Sequence, residues 1–140
     1  MLTKTKFIEL KKIFEILHGP RGCLWDKKQT HTTLIPYLKE ETKELACALK
    51  SGNYGHIREE LGDVLLQVML HAQIASKQGR FDIEEVLDGL IQKLKRRHPH
   101  VFGKVKVKSV REIKANWKKI KILEKKDKTK NPDFLGAFRR

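Results

Sequence analysis

Residues 40–63 read EETKELACALKSGNYGHIREELGD, and the fold follows from how this stretch is broken. Glu40, Glu41 and Glu44 fall on one helical run, Glu59, Glu60 and Asp63 on the next, with Ser51-Gly52-Asn53-Tyr54-Gly55 between them. Two antiparallel helices joined at that break would set the two acidic clusters side by side. Residues three or four apart share a helix face, so Glu41 with Glu44 and Glu60 with Asp63 each turn two carboxylates the same way. Four converging carboxylates repel unless a cation lies among them, and hard divalent ions such as Mg²⁺ take oxygen ligands. The acids also lie beside apolar stripes: Leu34, Leu38, Glu41, Leu45 and Ala48 on the first helix, and Ile57, Leu61, Val64, Leu65 and Val68 on the second, flanked by Glu60 and Asp63. A carboxylate pushed into a core without a partner is expensive. Spacing alone leaves a metal site and a structural salt-bridge network equally open, because glutamate is a good helix former.

On the N-terminal side of this hairpin, residues 4–18 carry a broad apolar face of Phe7, Ile8, Leu10, Ile13, Phe14, Ile16 and Leu17, which predicts a helix stopped by Gly19-Pro20. A loop is expected over residues 21–27, holding Trp25 and Lys27. On spacing, Trp25 reads as a hydrophobic plug over a helix end, with an aromatic platform for a base as the other reading. Thr30 or Thr32 is a candidate cap for the first hairpin helix, with Pro36 in its first turn, where a missing N–H does no harm. The second hairpin helix is expected to run from about residue 54 to 77.

On the C-terminal side, Asp82 reads as the cap of a helix with Ile83, Val86, Leu87, Leu90, Ile91 and Leu94 on its inner face, ending near Arg97 because His98 precedes a proline. Lys93 and Arg97 share a face there, as a dipole-complementing helix end or a phosphate clamp. His98 and His100 have no further suitably spaced ligand, which argues against zinc. The alternating KVKVK of residues 104–108 has no partner run and is expected to be loop. Ser109 with Glu112 forms a capping box for a last helix, on which Trp117 and Lys121 are neighbours. The pattern predicts an all-α helix bundle of four to five helices, with a domain over residues 1–124 and a basic, flexible tail over 125–140.

Composition narrows the classes. The 140 residues suit one domain, and no apolar run is long enough to span a membrane. The N-terminus lacks an apolar signal core, and Cys23 and Cys47 match no metal or redox spacing, so a cytoplasmic protein with free thiols is expected, Cys47 as a small core residue. Residues 1–90 balance 13 Lys+Arg against 13 Asp+Glu, while residues 91–140 hold 18 against 4, so the net charge of +14 belongs to the last fifty residues. Such a segment attracts polyanions. A basic helical nucleic-acid-binding module without turnover is therefore the rival reading, although nucleic acid is not the favoured partner.

Taken together, GCLWDKKQTH (22–31), EETKE (40–44), EELGD (59–63), GRFD (79–82) and KLKRRHPHVFG (93–103) resemble the MazG family of nucleoside triphosphate pyrophosphohydrolases, over about residues 7–121. The resemblance implies an all-α enzyme, homodimeric or of higher order, that hydrolyses nucleoside triphosphates at the α-phosphorus to a monophosphate and pyrophosphate. It implies Mg²⁺, with Mn²⁺ as the alternative ion, held by Glu41, Glu44, Glu60 and Asp63, and Glu40 orienting water or a second ion. It also implies Lys93 and Arg97, with Lys27 and Lys121, on the phosphates, and Trp25 or Trp117 against the base; for Trp25 this replaces the plug. Leu24 stands where the family loop carries proline, one domain is present where long members have two, and NPDFLGAFRR is not a recognisable family tail.

Overall fold

The computed structural model describes residues 2–129, with side chains over 6–128. It is all-helical among these residues: α1 (Leu2–Leu17), α2 (Leu24–Lys28), α3 (His31–Ser51), α4 (Tyr54–Lys77), α5 (Ile83–Arg97), α6 (Pro99–Phe102) and α7 (Val110–Thr129). Five are long, as the periodicity predicts. The two short ones are single turns, α2 in the segment expected to be loop and α6 just past the expected end of the helix at Arg97, both too brief to leave a periodic signal. The KVKVK stretch forms no strand. The chain divides into two units, Met1–Val86 and Leu87–Arg140.

In the first unit α3 packs along α4, and α1 against α4. Its core is Phe14, Leu34, Ala48, Met69, Leu70, Ala72, Ile74, Ala75 and Ile83. Local chemistry sets the helix ends. The Thr30 hydroxyl accepts from the Thr33 N–H at 3.1 Å while Thr33 Oγ1 accepts from the Thr30 N–H at 2.9 Å, a reciprocal cap. This starts α3 at His31, so Pro36 lies in the second turn rather than the first, where its missing N–H leaves one carbonyl of the preceding turn without its helical donor. Gly52 ends α3 in the left-handed region at φ 71°, where a side chain would be strained. Asn53 Oδ1 then accepts from the His56 N–H at 3.1 Å and opens α4. Asp82 caps α5, with Oδ1 accepting from the Glu85 N–H at 2.9 Å. Between α1 and α2, the Cys23 N–H donates to the Leu17 carbonyl at 2.9 Å. A Cβ at Gly22 would come within 2.0 Å of that carbonyl oxygen, so the tight turn requires glycine.

The stripe assigned to the core from spacing is not what α4 buries. Leu61, Leu65 and Val68 are 52 %, 40 % and 40 % exposed, and Leu38 of α3 is also exposed. The buried α4 face is instead Glu60, Gln67, Met69, Leu70, Ala72, Ile74 and Ala75. Cys47, expected in the core, is exposed; both cysteines are free thiols.

The second unit is tied together by Glu124 of α7, which accepts from Arg96 Nε at 2.8 Å and from Arg97 Nη2 at 2.9 Å. Trp117 Nε1 donates to the Arg97 carbonyl at 2.7 Å, and its ring meets His98 edge-on at 5.6 Å. Ser109 caps α7 by accepting from the Glu112 N–H at 3.2 Å. The helix passes through the expected boundary at residue 124 to Thr129. The rest of the expected tail, residues 130–140, lies outside the described residues. Among those described, no helix is long and apolar enough to cross a membrane.

Candidate active site

The hairpin brings together three of the acids. Carboxylate oxygens of Glu41 on α3 and of Glu60 and Asp63 on α4 lie within 4.8 Å of one another. Glu60 is 6 % exposed, and Glu41 and Asp63 are half-buried. The Oε2 atoms of Glu41 and Glu60 are both buried without a hydrogen-bond partner. Burial first, and then the neighbouring acids Glu44 and Asp63, push the carboxyl groups of both Glu41 and Glu60 above the ordinary range. Two orphaned oxygens on mutually repelling acids inside a helix pair are costly, and among the described residues no lysine or arginine ion pair reaches the trio; the ion-pair partner it has is His56, 3.1 Å from Glu60 Oε1. The all-oxygen donor set suits a hard divalent cation.

Glu44 stands beside the trio rather than within it, close enough for its charge to raise both Glu41 and Glu60. With Glu40, Lys43, Cys47, His56 and Glu60 it lines a cavity of about 460 Å³ next to the cluster, within the size range of small-molecule sites. Glu40 is exposed at its rim. Trp25 on α2 meets Tyr37 of α3 edge-to-face at 5.6 Å. Tyr37 is four residues before Glu41, one helical turn and about 6 Å of axial rise away. Trp25 and Tyr37 are 45 % and 42 % exposed.

Lys27 is not brought to the acids. Its Nζ donates to the Pro20 carbonyl at 3.4 Å, and it lines a small cavity with His18, Gln29, Ile74, Lys77 and Gln78 at the far end of α4. Lys77 is fourteen residues beyond Asp63, about 21 Å along the helix. In the second unit Lys93 is half-buried and Lys121 exposed, while Arg97 and Trp117 make the contacts to Glu124 and to the α5 carbonyl described above. The sequence reading missed His56, Tyr37, Lys43 and Cys47. A signal existed for two of them: His56 and Tyr37 each precede a cluster acid by four residues.

The family model described as the MazG nucleotide pyrophosphohydrolase domain matches residues 29–102, more than half of the chain and the whole of the acidic hairpin. The chain belongs to the MazG family. Among MazG relatives, it is 52 % identical over 119 residues to a Thermotoga maritima protein named nucleoside triphosphate pyrophosphohydrolase/pyrophosphatase MazG, covering 85 % of this chain and 45 % of that one. It is 41 % identical over 123 residues to the Escherichia coli K12 nucleoside triphosphate pyrophosphohydrolase, covering 87 % and 47 %. The chain thus spans about half the length of these two MazG proteins. A solved MazG-related protein from Thermotoga maritima has the same fold, with a TM-score of 0.65 and 30 % identity over 79 % of this chain and 97 % of that one.

Proposed function

We propose that this MazG chain hydrolyses nucleoside triphosphates at the α-phosphorus, releasing a nucleoside monophosphate and pyrophosphate. The observation that carries the proposal is the Glu41–Glu60–Asp63 trio, with two buried, unpartnered carboxylate oxygens beside a cavity of nucleotide scale. Glu41, Glu60 and Asp63 would hold Mg²⁺, or Mn²⁺, and Glu44 would complete the set from the cavity side. Bound there, the ion would neutralise phosphoryl oxygens and lower the pKa of a coordinated water. Glu40, at the cavity rim, would orient the attacking water. The water oxygen would bond to the α-phosphorus and give up a proton to solvent as the bond from that phosphorus to the bridging oxygen breaks, and the departing pyrophosphate would take that oxygen with its electron pair. No covalent enzyme intermediate is needed. Trp25, set against Tyr37 one turn from Glu41, would stack on the base. On the strength of the family resemblance alone, Lys93, Arg97 and Lys121 would bind phosphate and Trp117 would meet the base. A homodimer or larger assembly is supported by the exposed apolar stripe Leu61, Leu65 and Val68, and a reducing cytoplasmic setting by the two free thiols.

The test is release of pyrophosphate and monophosphate from a panel of canonical and modified nucleoside triphosphates, with Mg²⁺, with EDTA, and with Glu41→Gln and Asp63→Asn. Metal-dependent release, reduced at least about a hundredfold in both variants, is expected. Orthophosphate release, or turnover that survives both substitutions, would overturn the proposal.

A further inference from the structure

His56 sits in the first turn of α4, where none of the acidic motifs reaches. Its backbone N–H is held by the Asn53 cap at 3.1 Å, directly after the left-handed Gly52 that reverses the chain. Its ring Nε2 lies 3.1 Å from Glu60 Oε1. The spacing allows this contact: helical side chains lean toward the N-terminus, so Glu60 leans back over the residue four before it. Among the described residues His56 is the hydrogen-bond donor to this carboxylate, and the other oxygen, Oε2, is buried with none. The ring also lines the cavity beside the acids.

We propose that His56 is a positioning residue for Glu60: by donating from Nε2 to Oε1 it fixes the carboxylate rotamer and leaves Oε2 as the atom offered to a divalent ion shared with Glu41 and Asp63. The inference rests on the metal-site reading above. A buried glutamate loses rotamer freedom when fixed, and its repulsion from Glu41 and Asp63 drives it away from the geometry a shared ion needs. A hydrogen bond to the opposite oxygen restrains it before the ion arrives. Outer partners of this kind commonly change metal affinity by about 10- to 100-fold when removed. An ordinary helical pair four residues apart would add only a little helix stability, so metal affinity separates the two roles.

Mn²⁺ binding to the full chain, followed by electron paramagnetic resonance without nucleotide, tests it in four proteins: wild type, Glu60→Gln, His56→Ala and His56→Gln. The expected result is about tenfold weaker binding by His56→Ala, with the Mg²⁺ concentration for half-maximal turnover rising in step. His56→Gln, whose amide reaches the same oxygen at the same spacing, should recover most of the loss. Circular dichroism should be the same in all four. Wild-type affinity in His56→Ala while Glu60→Gln loses binding overturns the role of His56 and leaves the metal site standing. His56→Gln binding as weakly as His56→Ala overturns the hydrogen bond as its cause. No Mn²⁺ binding by wild type, or undiminished binding by Glu60→Gln, overturns the metal site and this inference with it.

Discussion

Arg97 and Glu124 meet at two points, Nη2 2.9 Å from Oε2 and Nε 3.3 Å from Oε1, in a side-by-side pair between α5 and α7. Arg96 adds a third bond at 2.8 Å. Glu124 is 7 % exposed, so its charge depends on these donors. The Arg97 hydrogen bond outweighs the cost of burial, and with Arg96 it holds the carboxyl at about 2. Arg97, which the sequence offers as a phosphate ligand, is thus also a structural residue of the second unit.

Because the folded pKa of Glu124 lies below its ordinary value of 4.5, the stabilisation is present above that value and is lost as pH falls toward 2. Glu124→Gln should cost about 3 kcal/mol at pH 7 and much less at pH 2–3. Urea unfolding at both pH values measures this. Equal losses at the two would show that the pair contributes packing rather than charge.

Glu60→Gln should separate stability from metal binding. Burial and neighbouring acids raise Glu60 and Glu41 above 4.5. The folded state without metal therefore takes up protons more readily than the unfolded chain. Their contribution to stability is full below pH 4.5 and declines as pH rises through the raised values. In EDTA at neutral pH, Glu60→Gln should melt at a higher temperature than wild type, while losing the stabilisation that Mg²⁺ gives wild type. Thermal melts with EDTA and with Mg²⁺ check both halves, and a lower Tm in EDTA would contradict the repulsion.

His31 and His71 pair across the same hairpin, nearer the start of α3, with Nδ1 atoms 2.8 Å apart and rings within 5° of parallel. One ring must accept while the other donates, so the pair holds one proton between these atoms. Burial, and then the charge of His31, lowers the His71 pKa below 6.5. The unfolded chain binds the extra proton more readily, so stability falls as pH drops below 6.5. A His71→Asn chain should show a flatter Tm profile between pH 7.5 and 5.5 than wild type. Parallel profiles would mean that the pair does not titrate in this window.

Leu61 and Leu65 lie one turn apart on the exposed stripe of α4. If the stripe is a subunit interface, Leu61→Asp with Leu65→Asp places charges in it and should shift the sedimenting species to protomer mass while keeping its helicity. A wild type already at protomer mass at about 50 μM, a concentration at which a stable interface is occupied, would count against assembly through this face.

Sequence alone determined the helices and most of their ends, because these depend on neighbours within a few residues: the break over residues 51–55 that makes the hairpin turn, Asp82 as the cap of α5, Ser109 before α7. It also determined which acids share a face. It did not determine which acids converge. Spacing treats Glu44 as the equal of Glu41, but the packing of α3 on α4 puts Glu41 among the trio and turns Glu44 to the cavity. Spacing likewise placed Leu61 and Leu65 in a core that a single chain does not build around them. Periodicity reports that a face is apolar and leaves open whether this chain or another covers it. The pairs Arg97–Glu124 and His31–His71 join residues 27 and 40 positions apart. Only the tertiary structure decides them, because such contacts depend on how separate helices are set against each other, and no local propensity encodes that.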